Sequence, residues 1–123
     1  IGPYQDVLCT ALPMLCDVHV RVARFGMTFN PWVNWKQPNN PPLWWTSNNK
    51  VKHYRSQHFA EANLGNTLNA ISGLLVLLVL LQSKGAAHFP MPKLFVPDIF
   101  ATREGNQLRI LIPDGNTLPW ANT

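Results

Sequence analysis

Apolar residues concentrate in one stretch of this chain, and the other elements are read relative to it. Over residues 60–82, Leu64, Leu68, Ile71, Leu75, Leu78 and Gln82 recur at three- and four-residue steps, the spacing that stacks side chains on one side of a helix. Leu74, Val76, Leu77, Val79, Leu80 and Leu81 fill the remaining directions, so the end of this helix is apolar all round. Such a helix has to be covered by its own chain, by a second copy or by lipid. The segment before it, residues 44–55, is polar and basic behind Trp44 and Trp45. It also suits a helix, with Ser47 available as an internal N-cap.

Upstream, residues 4–25 read as a helix carrying Leu8, Leu12, Leu15, Val18, Val22 and Phe25 on one broad face. Pro13 falls inside it, where a kink or a fresh helix start is expected, and Gly26 supplies a stop. Residues 28–42 have neither helical nor strand period and are rich in Pro and Asn, the marks of an irregular connector. Trp32 and Trp35 lie in it, and large aromatics in a loop pin that loop to a core. Beyond Gln82 comes a turn region with Gly85 and two prolines, then extended pieces at 94–96, 99–102 and 107–112. Arg103-Glu104-Gly105-Asn106 suits a hairpin loop, Pro113-Asp114-Gly115 a turn, and the tail after it a loosely held end. A hairpin alone is marginal, so it should rest on the helices. The expected class is mainly α: a small helical bundle in a single domain of 123 residues. Its helical core covers about residues 4–82, with a β-hairpin appendage over about 93–113.

Composition changes this picture in two respects. Charged residues make up 13% of the chain, about half the usual ~25%, so much of the surface is neutral or covered. The formal net charge of +4 is unevenly spread: no acidic residue occurs between Asp17 and Glu61. That interval holds Arg21, Arg24, Lys36, Lys50, Lys52 and Arg55 with His53 and His58, a basic sector suited to phosphates or an anionic surface. The apolar run at 71–81, about eleven residues and interrupted towards its start by Asn69, Ser72 and Gly73, is shorter than the roughly 20 residues of a membrane span, which favours a buried helix. Cys9 and Cys16 on one helix would lie about 10 Å apart along its axis, too far for a disulfide. They read instead as buried thiols of a reducing compartment. No signal peptide is visible at the start, and the expected location is cytoplasmic.

The candidate chemistry sits at the joint of the two central segments. On a helix, Trp45, Asn49, His53 and Ser56 share a face and Lys52 borders it, while Asn48, Arg55 and His58 fall on a neighbouring one. An imidazole beside a lysine stays neutral near pH 7 and can act as a base. Arg and Lys beside it would stabilise charge developing on a phosphorane with no metal required. The bland alternative is a surface histidine on a basic helix. Cys16 with His19 and Asp17 resembles a thiol site only superficially. His53 and His58 lack helical metal-ligand spacing, and no glycine-rich phosphate loop occurs, so neither a metal nor a cofactor is expected.

The residues Trp44-Trp45-x-x-Asn48-Asn49-x-Val51-Lys52-His53-x-Arg55, then Phe59-x-x-Ala62-Asn63-Leu64, then Leu68-Asn69-Ala70-x-x-Gly73-Leu74 resemble a bacterial branch of the HEPN superfamily. These are small helical domains named for higher eukaryotes and prokaryotes nucleotide-binding. The resemblance implies a bundle that dimerises and serves in phage defence or toxin–antitoxin systems, with a cognate antitoxin as partner. Active members are metal-independent endoribonucleases that use an arginine and, after four to six intervening residues, a histidine. Here Asn48 stands in the arginine's place before His53. The site the resemblance implies is therefore His53 as base, with Lys52, Arg55, Asn49 and Asn48 beside it. Lys50, Arg21, Arg24 and His58 would supply contacts to RNA. The alternatives are a non-catalytic module of the same kind that binds nucleotide, nucleic acid or protein, and a small membrane-associated protein with residues 64–81 in lipid.

Overall fold

Three tryptophans and one long helix set the architecture seen in the computed structural model. It describes residues 1–83 and 93–98, and the backbone of strands at 100–104, 107–111 and 117–119. The chain is mainly α with small antiparallel sheets. Helix α1 (Gly2–Ala11) leads through a 3-10 turn at Leu15–Asp17 into strand β1 (Val20–Val22). A 3-10 turn at Ala23–Phe25 joins β1 to β2 (Met27–Phe29), and another at Val33–Lys36 crosses the connector. Helices α2 (Leu43–His53), α3 (Arg55–His58) and α4 (Leu64–Ser83) follow. Strands β3 (Val96–Pro97), β4 (Phe100–Glu104), β5 (Gln107–Leu111) and β6 (Thr117–Pro119) complete the chain.

The expected helix over residues 4–25 is corrected: it ends at Ala11, before Pro13, and the second half holds strand β1 between two 3-10 turns. Val18, Val20 and Val22 are buried while His19 and Arg21 are exposed, the two-residue alternation of a sheet with one covered face. Spacing at 15, 18, 22 and 25 mimics a helical stripe, yet Phe25 is exposed. β1 pairs antiparallel with β2 (Val20 opposite Phe29, Val22 opposite Met27) and with β3 (Val20 opposite Pro97, Arg21 opposite Val96). Gly26 does stop a helical turn, at φ 61°, the left-handed conformation glycine adopts without strain; it turns the chain from β1 into β2. The Asp98 amide donates to the His19 carbonyl at 2.9 Å, and the His19 amide to Asp98 Oδ1 at 3.0 Å, closing the third strand.

The break at Pro13 also overturns the separation expected of the two cysteines. With α1 finished at Ala11, residues 15–17 fold back, and Cys9 Sγ lies 3.9 Å from Cys16 Sγ. Gln5 fixes the other side of α1, its Nε2 donating to the carbonyls of Trp35 at 3.2 Å and Gln37 at 2.8 Å.

The connector is not featureless, since β2 and one 3-10 turn lie in it, but its tryptophans pin it as expected. Trp32 and Trp35 are each only 5% exposed. Their rings lie 4.6 Å apart, and Trp44 of α2 meets Trp32 edge-on at 5.3 Å. Trp32 Nε1 donates to the Gly73 carbonyl at 2.9 Å, and Trp44 Nε1 to the Pro31 carbonyl at 3.0 Å. A Cβ on Gly73 would sit 3.2 Å from Trp44 Nε1, so glycine is what lets the tryptophans approach α4. Around them Leu12, Leu15, Cys16, Val18, Val20, Leu75, Val76, Val79 and Leu80 form one core.

Among the described residues, α4 is buried along one side. Leu68, Ser72, Leu75, Val76, Val79 and Leu80 are buried, while Leu64, Ile71, Leu74, Leu78 and Leu81 are exposed. Pattern alone cannot choose a face on a helix that is apolar all round, and the chosen one includes the hydroxyl of Ser72. The window Leu64–Leu81 is long and apolar enough to cross a membrane by length and composition; its buried side is shared with the protein core. The hairpin forms as expected, β4 pairing β5 with Phe100 opposite Leu111 and Glu104 opposite Gln107, and both strands lie against α4. The expected loose tail is corrected in part, because Thr117–Pro119 adds a third strand opposite β5. Ser83, expected in a turn, ends α4; the rest of that expected turn over residues 84–92, and those at 105–106 and 113–115, lie outside the described residues.

Candidate nucleic-acid interface

The joint between the two central segments is a helix break followed by a tightly bonded corner. α2 carries Lys50, Lys52 and His53 in its last turn, where cations oppose the negative end of the helix dipole. Tyr54, at φ −135°, ends the helix, with its amide donating to the Lys50 carbonyl at 2.8 Å. α3 then runs only from Arg55 to His58. Ser56 therefore leaves the face formed by Trp45, Asn49 and His53, and the extended helical face expected there is corrected. Ser47 is not a helix start either: it lies buried in mid-helix.

Glu61, which no local pattern of residues singles out, ties the corner together. Ser47 Oγ donates to Glu61 Oε2 at 2.8 Å, Asn66 Nδ2 to the same oxygen at 3.3 Å, and Lys50 Nζ lies 3.7 Å from Oε1. Asn66 Nδ2 also donates to the Glu61 carbonyl at 2.8 Å, and Asn63 Oδ1 accepts the Asn66 amide at 2.9 Å. Asn63 is thus the N-cap of α4. An asparagine just ahead of an apolar helical run is the readable signal for that cap. Glu61 has no comparable local signature, because two of its partners come from α2.

The hydrogen bond from Ser47, then the charges and donors of Lys50, Asn66 and His58, hold the Glu61 carboxyl below its usual range. A carboxylate whose pKa is lowered by folding stabilises the folded state above its unfolded pKa, and that contribution fades as pH falls through the folded pKa. Below about pH 4 the urea midpoint of the parent is expected to drop more steeply than that of Glu61→Gln. Superimposable midpoint-against-pH curves would show that this carboxylate does not couple folding to pH.

The candidate site residues divide into three groups. Lys52, His53 and Arg55 are exposed, and among the described residues no side-chain hydrogen bond or ion pair engages them. Tyr54 and Phe59 in the same stretch are exposed too, and His58 meets the Tyr54 ring edge-on at 6.5 Å. Asn48 is exposed and Asn49 half-buried on α2, while Lys50 is directed into the Glu61 corner. Arg21 lies on β1 opposite Thr28, and Arg24 in the turn after it, its guanidinium 5.9 Å from the Phe25 ring centre. No hydrogen bond or ion pair joins either arginine to α2 among the described residues.

Chemically, the first group offers free cations, an unengaged imidazole and two aromatic faces within eight consecutive residues, Lys52 to Phe59. Among the described residues no three of His, Cys, Asp and Glu converge as a metal would require. No protein-family model, no curated protein and no solved structure matches this chain.

Proposed function

We propose that the end of α2 together with α3 is the RNA-contacting face of a HEPN-like domain, and that His53 acts there as the base of a metal-independent ribonuclease. The observation that carries this reading is the run of exposed, unengaged Lys52, His53 and Arg55 in one short segment with the exposed rings of Tyr54 and Phe59. Free cations draw the phosphate backbone, and neighbouring aromatic faces stack unpaired bases. His53 removes the proton of a ribose 2′-hydroxyl, and the 2′-oxygen attacks the adjacent phosphorus. The 5′-oxygen leaves, protonated from solvent, and a 2′,3′-cyclic phosphate remains. Lys52 and Arg55 offset the charge that builds on the phosphoryl oxygens. Asn49, one turn before His53, and Asn48 are placed on α2 to contact the ribose or base. Within this reading the protein serves in defence or as a toxin with a protein antitoxin.

A second reading has one specific observation behind it. No side chain orients the His53 ring among the described residues, whereas a catalytic imidazole is normally held by a hydrogen bond at its other nitrogen. The same face would then bind RNA or nucleotide without cutting. Total RNA incubated in EDTA with the parent and with His53→Ala separates the two. Cleavage is expected for the parent, reduced about a hundredfold or more in the variant. Salt-sensitive binding without cleavage by either would establish the binding module, and absence of both at low salt would remove RNA from this face.

The partner we propose for the exposed side of α4 is a second copy of the chain. Leu64, Ile71, Leu74, Leu78 and Leu81 lie at steps of three, four and seven residues along about 26 Å of helix, the a and d spacing with which two helices mesh. A symmetric dimer covers the same stripe twice with one set of contacts.

A further inference from the structure

We propose that Cys9 and Cys16 form a thiol pair that closes into an intramolecular disulfide by exchange with a low-molecular-weight disulfide such as oxidised glutathione. The sulfurs already touch, Sγ to Sγ at 3.9 Å. Closing to the bond length of about 2.05 Å takes a movement of roughly 2 Å, within reach of side-chain rotation. The pair is built by the fold: α1 ends ahead of Pro13, and the 3-10 turn at Leu15–Asp17 carries Cys16 back beneath the last turn of α1. The two partners are unequal. Cys9 is half-buried and Cys16 buried in the core, so an oxidant in solution meets Cys9 first.

The exchange balances in two steps. The Cys9 thiolate attacks oxidised glutathione, forming a Cys9–glutathione mixed disulfide and releasing one glutathione thiolate. The Cys16 thiolate then attacks the Cys9 sulfur, forming the Cys9–Cys16 bond and releasing the second. Two protein thiols are oxidised, one glutathione disulfide is reduced to two thiols, and the two protein protons end on the released thiolates or solvent. Burial first, and then the neighbouring Cys9, push the Cys16 thiol up to about 12. Once Cys9 is in the mixed disulfide its charge and its hydrogen bond to Cys16 are gone, which eases the second deprotonation. Reduced Cys16 thus stays an inert core thiol until its neighbour has been oxidised.

The test uses the full chain, reduced, then treated with excess oxidised glutathione, unfolded in iodoacetamide and digested with trypsin. Both cysteines fall in the tryptic peptide spanning residues 1–21, since Arg21 is the first Lys or Arg. The expected peptide is two hydrogens lighter than the dithiol and carries no alkyl label, and dithiothreitol restores two labels. The oxidised form is expected to melt higher than the reduced form by up to about 10 °C, because a short loop is closed in the unfolded chain. In Cys16→Ala the glutathione adduct on Cys9 should accumulate; in Cys9→Ala, Cys16 should react roughly tenfold or more slowly than Cys9 does. A wild-type peptide with two labels after oxidation, one bearing retained glutathione, or a cross-link to a second chain through these cysteines would each overturn the proposal, even if a variant failed to fold.

Discussion

Trp32→Ala is expected to destabilise the fold by about 3–5 kcal/mol, a large share of the roughly 6–18 kcal/mol available to a chain of this length. Three contributions fall together at this side chain. Its ring is 5% exposed, so truncation leaves a cavity between the connector and α4. Its stacking against Trp35 and Trp44 is lost with it, each aromatic pair contributing about 0.5–1.5 kcal/mol beyond burial. The Nε1 bond to the Gly73 carbonyl, 2.9 Å long, disappears as well. Trp32→Phe keeps most of the ring and drops the donor, so it should lose about 1–2 kcal/mol. Urea unfolding of the three proteins at equal slope decides the matter. A Trp32→Ala protein within about 1 kcal/mol of the parent would mean that the connector does not anchor α4.

That anchor is legible in the sequence, and its partners are not. Large aromatics in a proline-rich loop announce a pinned loop, because nothing else in such a segment offsets the entropy lost in ordering it. Where they pin depends on Gly73, whose missing side chain matters only once Trp44 and Pro31 are beside it. The helices α2 and α4 are readable for a related reason: each is long and free of proline, and α4 is strongly apolar. Residues 15–25 read wrongly because one sequence satisfies two periods. Leu15, Val18, Val22 and Phe25 fit a helix, while Val18, Val20 and Val22 fit a strand, and the sheet prevails because β2 and β3 are available to pair on both sides.

The candidate site divides along the same line. Cations in the last turn of α2 can be read from the order of residues, since the helix dipole and the charges lie on one element. The break at Tyr54 cannot, for Tyr54 is neither glycine nor proline, and the chain turns there because Glu61 and Asn66 draw the following segment back onto Ser47. That corner divides the expected helical face into two short ones. Lys50 is also diverted from the surface group to a structural ion pair, which leaves Lys52 and Arg55 as the unengaged cations of this segment among the described residues.

Replacing both Ile71 and Leu74 by glutamate is expected to convert a dimer into a monomer while leaving the chain folded. Both positions are exposed, at 43% and 56%, so neither substitution empties the core, and exposed changes of this kind usually move stability by no more than about 0.5 kcal/mol. In the proposed dimer the consequence is far larger. The two residues flank the midpoint of the Leu64 to Leu81 stripe, so a parallel seam sets each glutamate against its own copy and an antiparallel seam sets one against the other. Four carboxylates enter a dry contact without partners, and a loss of about 4 kcal/mol or more corresponds to at least a thousandfold weaker association. Sedimentation equilibrium should give the parent twice the 13.9 kDa chain mass and the double variant a single chain mass, with the same helical circular dichroism. A parent that stays monomeric at high micromolar concentration would end the case for a second copy. If that monomer also floated with lipid vesicles and the double variant did not, the stripe would be a surface for lipid, and the apolar helix would owe its length to the membrane it lies against.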